Sequence, residues 1–225
     1  MIKLTKGNTP DILQANAAAW TAEFLSKIGA GVTPSDSESS RYRHPQVKAA
    51  LMSETNGKCA YCESKLRHIH HGDVEHIYPK SLDPTRRFDW ENLTIACEIC
   101  NQNKSNKDPN AEYIIDPYNL DPNEHIIFFG AMLYPLGSAY GKNTTVLLDL
   151  NRAELVERRR ERLDQIMSIF ETVLRTDLPM VTRRAILENL VSEDAAPQAP
   201  YSAMTKSVLK MLKDRFDSAV NQPGS

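Results

Sequence analysis

Two pairs of cysteines share one spacing: Cys59-Ala60-Tyr61-Cys62 and Cys97-Glu98-Ile99-Cys100. A Cys-x-x-Cys turn delivers two thiolates from one tight knuckle, and two knuckles complete the tetrahedral shell that zinc takes. The alternative is four unrelated thiols, which would need both pairs to share a spacing by accident. Four thiolates leave no open coordination position for water, so zinc on Cys59, Cys62, Cys97 and Cys100 is expected to be structural. The knuckles stand 34 residues apart, so something is inserted between them.

The insertion carries Asp73-Val74-Glu75-His76-Ile77-Tyr78-Pro79-Lys80 and then Trp90-Glu91-Asn92-Leu93. Asn101-Gln102-Asn103-Lys104 follows the second knuckle. Phosphodiester hydrolysis needs an activated water, charge neutralised at the phosphate and a stabilised leaving oxygen. A neutral imidazole can take the proton from water, and one divalent ion can serve the phosphate and the leaving oxygen. His76 fits the general base.

The signature Cys-x-x-Cys, Glu-His-Ile-x-Pro, Asn-Leu, Cys-x-x-Cys-Asn-x-x-Lys resembles the HNH endonucleases, or ββα-metal nucleases, in their zinc-knuckle branch. The likeness covers about residues 58–107. It implies that Glu75 and Asn101 hold a catalytic Mg²⁺ or Mn²⁺; an amide oxygen is a good hard ligand. It also implies that Asn92 braces the loop that orients His76. The family more often has Asp where Glu75 stands, and Asp73 is the substitute acid. The longer run from Tyr42-Arg43-His44-Pro45 through Trp90-Glu91-Asn92-Leu93 is similar to nucleases of Septu-type and retron-associated antiphage systems. That likeness implies an ABC-type ATPase partner; residues 151–220, which the nuclease motif does not use, either dock it or pack on the nuclease core. Lys80, Arg86, Arg87 and Lys104 are the candidates for phosphate contact. The run His68, Ile69, His70, His71 reads as a solvated turn, since the four-cysteine shell is already complete.

The rest of the chain must position these groups. Its 225 residues, 41% hydrophobic and 25% charged, describe a folded chain with a real core, not a disordered tail. No apolar run reaches the ~18 residues of a membrane span. The start lacks the apolar stretch of a secretory signal, and a cytoplasmic location is expected. Net charge is −2, so nucleic acid must be met by a local patch. Residues 41–108 supply one, with eleven Lys and Arg against nine Asp and Glu.

The expected fold is α+β and mainly helical. A ββα-metal core stapled by the zinc site at 41–112 follows an N-terminal helical segment at 1–40. A strand and turn connection at 113–150 leads to a C-terminal helical region at 151–225. Pro10 to Ile28 is predicted helical, closed by Gly29 and Gly31. Thr33 to Ser40 is predicted as a polar loop. A short helix begins at Pro45 and stops near Gly57. His125 to Gly130 reads as a strand meeting a turn. Asn151 is the predicted N-cap of a long helix, with Glu154 completing a capping box. Leu163, Ile166, Met167, Phe170, Val173 and Leu174 form its apolar face, and Pro179 ends it. A helix at 181–191, a linker from Asp194 to Pro200 and a last helix through Met204, Val208, Met211, Leu212 and Phe216 complete the chain. The arginines at 158, 159, 160 and 162 are interleaved with Glu154, Glu157 and Glu161, and read as a solvated or partner-facing surface, with Glu154 and Arg158 paired.

The resulting expectation is a metal-dependent nuclease, with DNA as the favoured substrate. RNA such as tRNA could be cut by the same groups. A zinc-stapled binding module without catalysis has no reason to combine Glu75, His76, Asn92 and Asn101.

Overall fold

The computed structural model describes residues 1–66 and 72–221, with side chains to residue 217. In order they form α1 (Asp11–Gly29), α2 (Asp36–Ser39), α3 (Pro45–Glu54), β1 (Asp73–His76), β2 (Leu93–Ala96) and α4 (Glu98–Lys104). There follow β3 (Ile126–Phe129), β4 (Met132–Pro135), α5 (Ala139–Leu147), α6 (Ala153–Leu174), α7 (Met180–Asn189) and α8 (Ser202–Asn221). Helix dominates and the sheets are small, as expected of a mainly helical α+β chain.

The centre is a ββα unit. β1 and β2 pair antiparallel, with Val74 opposite Ile95 and His76 opposite Leu93. All four residues of β2 are buried, because α3 covers it through Val47 and Leu51. Two four-residue strands are marginal alone, so this pair depends on what packs around it. Trp20 and Phe24 of α1 meet the ring of Phe88 edge-on, closing the loop between the strands from outside. A second cluster holds the C-terminal lobe: Ile166, Phe170 and Val173 of α6 against Leu187, Leu190, Leu209 and Phe216. Tyr201, Ala203 and Met204 at the start of α8 belong instead to the core of the ββα unit.

Several local expectations are corrected. Residues 36–39 are helical, because Ser35 and Glu38 make a capping box within the segment predicted as loop. Residues 139–147 are helical despite Gly141 and the β-branched residues at 144–146. Contacts outside the helix decide it: Thr144 Oγ1 accepts from Ile115 N, and Asn143 Nδ2 donates to Glu112 O. Gly141 lies so close to His125 O that a Cβ would stand 2.0 Å from it.

Asn151 does not cap α6; the N-cap is Arg152, without a side-chain bond. The Asn151 amide instead pairs with both Leu133 N and Leu133 O, extending the β3–β4 hairpin. Helix α6 ends at Leu174, and Pro179 starts α7 instead. Leu174 is exposed, while Leu155 and Arg159 join the buried face. Arg159 is therefore not solvated: its guanidinium donates to Leu150 O and lies 5.0 Å from the Phe128 ring. Arg158 pairs with Glu161, one turn after it, and not with the expected Glu154 one turn before it.

One buried ionic knot ties the lobes together. Glu63 accepts from Lys58 Nζ at 3.1 Å and from Ser202 Oγ at 2.8 Å, and it meets the Met1 amine at 2.7 Å. Lys58 Nζ also donates to Ala199 O. Burial alone would raise the Glu63 carboxyl, but the Met1 and Lys58 cations outweigh it and hold it at about 2, below its ordinary 4.5. The stabilisation is present above about pH 4.5 and is lost as pH falls towards 2. Glu63→Gln leaves buried cations without their anion and is expected to cost about 3–5 kcal/mol. Denaturant melts at neutral pH measure this, and melts between pH 5 and 3 should show a shallower acid loss in the variant.

Candidate active site and zinc knuckles

The four sulfurs lie within 4.8 Å of one another, and Cys62 Sγ is 3.8 Å from Cys97 Sγ. Sulfurs ~2.3 Å from a shared tetrahedral ion stand ~3.8 Å apart, so the spacing fits zinc. The first knuckle closes by Cys59 N to Ser64 O at 2.9 Å and Glu63 N to Cys59 O at 3.0 Å. Ala60 N donates to Ile95 O, which fixes this knuckle to β2. In the second, Cys97 is the N-cap of α4 and Cys100 lies in its first turn.

Burial pushes the Cys59 thiol up, while hydrogen bonding from Cys100 pulls the Cys62 and Cys97 thiols down. Four sulfurs this close together, three of them buried, would need a cation at their centre to be thiolates. Arg152 supplies an outer one, with guanidinium nitrogens 3.9 Å from Cys100 Sγ and 4.0 Å from Cys97 Sγ. Sequence reasoning missed Arg152, which lies 52 residues beyond the second knuckle and has no motif around it.

The catalytic candidates sit on the strand and helix that these knuckles hold. His76 ends β1 and is 3% exposed, with Tyr42 edge-on at 4.6 Å. Its Nε2 is 2.9 Å from Arg87 O. A carbonyl only accepts, so Nε2 carries the proton and Nδ1 keeps the lone pair. Nδ1 has no hydrogen-bond partner among the described residues and is not sealed from solvent. Burial drives the imidazole pKa down to about 3, aided by the charges of Lys80, Arg87 and Lys104 against the hydrogen bond to Arg87 O. The ring is neutral at pH 7.

Asn92 is fully buried and makes three bonds across the loop after His76. It accepts from Tyr78 N at 2.7 Å and donates to Tyr78 O at 2.9 Å and Arg86 O at 3.2 Å. Glu75 Oε1 meets Lys104 Nζ at 2.9 Å, and the same ammonium donates to His76 O at 2.8 Å. Burial raises the Glu75 carboxyl, and Lys104 opposes that shift. Asn101 lies one turn before Lys104 on α4, half-buried, its amide without a hydrogen-bond partner among the described residues.

The phosphate candidates separate. Lys104 is 1% exposed and locks α4 onto β1, so this ammonium is closed off from solvent in this conformation. Arg87 turns away: it donates to Ser39 O and stacks on Phe24. Arg86 remains half-buried over the Tyr78 ring at 5.4 Å, and Lys80 stands 5.5 Å from the Tyr42 ring. Asp73 is the first residue of β1, opposite Ala96. His68, Ile69, His70 and His71 lie outside the described residues.

A strand pair and helix carrying these groups is the arrangement of one nuclease class, and residues 59–107 match the family model "HNH endonuclease". Along most of its length the chain is also similar to "Septu protein PtuB" of Bacillus thuringiensis. The two are 29% identical in an alignment that covers 93% of this chain and 82% of that protein. "Septu protein PtuB" of Bacillus mycoides (strain KBAB4) is 26% identical over 80% of this chain and 79% of its own.

Purified protein should contain about one zinc per chain. Cys97→Ser is expected to lose zinc and solubility, because metal binding is in part folding free energy. Arg152→Ala should keep zinc but hold it ~10–100-fold more weakly. Elemental analysis and competition with a chromophoric chelator measure both.

Proposed function

We propose that this chain is a metal-dependent HNH endonuclease that hydrolyses phosphodiester bonds, with DNA as the favoured substrate. The single observation that carries the reading is the tautomer of His76. With Nε2 tied to Arg87 O, the free Nδ1 is the basic nitrogen and is neutral at pH 7. His76 then accepts the proton of the attacking water through Nδ1. Asn92 acts through its neighbours: by gripping Tyr78 and Arg86 it fixes the peptide next to the carbonyl that orients the imidazole.

Glu75 and Asn101 offer the hard oxygen donors that a divalent ion takes. When bound, the ion supplies positive charge at the phosphate and the leaving oxygen. Glu75, paired with Lys104 at 2.9 Å, would have to release that ammonium to hold the ion. The proposed role is effector of an antiphage defence system, which the two Septu relatives support, with an ABC-type ATPase as the proposed partner. The C-terminal lobe, with Leu174 51% and Val181 75% exposed, is the proposed contact region. No described helix is long and apolar enough to cross a membrane.

His76→Ala is expected to slow cleavage by ~10²–10⁴-fold while leaving zinc content and circular dichroism unchanged. Asn101→Ala should raise the Mg²⁺ or Mn²⁺ concentration needed for half-maximal rate. Plasmid DNA and total tRNA, incubated in parallel, measure rate and substrate together. Cleavage by His76→Ala at the wild-type rate would overturn the assignment in favour of a non-catalytic zinc module.

A further inference from the structure

A cavity of about 600 Å³ opens beside the loop that follows His76. Its lining includes Tyr78, Arg86, Asn110, Tyr118, Tyr140 and Lys6. We propose that it receives an unpaired nucleobase next to the phosphodiester being cut. This rests on the nuclease reading and adds to it a class of substrate: a strand with a base free to leave the stack.

Position argues first. The Asn92 amide that braces the loop after His76 also fixes Tyr78 and Arg86, two walls of the cavity. Arg86 precedes Arg87, whose carbonyl receives His76 Nε2. Two residues of extended chain span at most ~7 Å, so Tyr78 and His76 are close enough to serve neighbouring nucleotides.

Chemistry argues second. One wall is rigid and already satisfied. The Lys6 ammonium stands 3.9 Å from the Trp90 ring and 4.6 Å from the Tyr118 ring, and the Tyr118 hydroxyl donates to Glu54 at 2.9 Å. The other wall has spare groups. The Tyr78 and Tyr140 hydroxyls and the Asn110 amide have no hydrogen-bond partner among the described residues. Arg86 is paired only loosely, at 3.5 Å from Asp89. Aromatic rings stack on any base, amide and hydroxyl groups meet base edges, and a guanidinium meets phosphate. A duplex keeps its bases stacked and paired, so only an unpaired or extruded base can enter such a cavity.

The test uses the full-length chain with His76→Ala, so that probes stay intact. Fluorescence anisotropy compares a short oligothymidylate, a short oligouridylate and the same phosphodiester chains made wholly of abasic residues. The base-bearing chains should bind more tightly, on the order of tenfold or more. Asn110→Trp fills the cavity from an exposed position, and Tyr140→Ala removes a ring; each should shrink that preference, with circular dichroism as the fold control. Comparing thymidylate with uridylate separates DNA from RNA. No base preference, or a preference untouched by both substitutions, overturns the proposal. Wild-type protein that binds with this preference yet cuts nothing in Mg²⁺ or Mn²⁺ overturns the nuclease reading and leaves the base site standing.

Discussion

The convergence of four sulfurs within 4.8 Å is the constraint on which the rest of the structure depends. It joins two turns 34 residues apart in the chain, and everything between them must fit that closure. The strands they flank are four residues long, too short to hold a register by themselves. Ala60 N on Ile95 O ties the first knuckle to β2, and Cys97 caps α4, so both strand and helix leave the cluster at fixed angles. Cluster charge follows from the same fact. Four thiolates around one divalent cation would leave a net negative centre, and Arg152, at the start of α6, stands 3.9 Å from Cys100 Sγ and 4.0 Å from Cys97 Sγ to meet it. The C-terminal helices are thereby coupled to the four-cysteine cluster as well as to Glu63.

Around the proposed base, polar groups are used to hold and not to react. Lys104 is spent on the seam between α4 and β1, Arg87 on Ser39 O and Phe24, and Asn92 on three backbone atoms of one loop. The result is an imidazole with one nitrogen engaged and the other free, surrounded by cations. Burial first, and those charges second, keep the ring uncharged. The Glu75–Lys104 pair puts an ammonium where the proposed divalent ion would bring its charge. The buried carboxylate therefore has a partner in either condition, and an unpaired carboxylate is not left in the core.

Much of this was legible in the sequence because the chemistry is local. Cys-x-x-Cys spacing, Glu75-His76 on a strand and Asn101 directly after a cysteine are short-range patterns. The α1 and α3 boundaries followed from Pro and Gly signals within about three residues. What stayed hidden depends on distant partners. Arg152 and the sulfurs meet only in the fold. Arg159 sits among charged neighbours that read as solvated, yet it is buried because Leu150 O and the Phe128 ring receive it. Asn151 looked like a cap, but an Asn side chain also mimics a peptide, and the free edge of Leu133 took it. Helix α5 has poor intrinsic propensity and is held by Thr144 and Asn143 bonds to residues some thirty positions earlier. The Ser35–Glu38 box was a local signal that the Pro and Ser around it masked.

In the proposed arrangement one ion, held by sulfur alone, builds the site while hydrolysis is done elsewhere. X-ray absorption at the zinc edge of the purified chain, with and without Mg²⁺ and oligonucleotide, tests it directly. Four sulfurs at about 2.3 Å are expected in every sample, with no change when substrate is added. A nitrogen or oxygen ligand in the zinc shell, or a shell that changes with substrate, would contradict it.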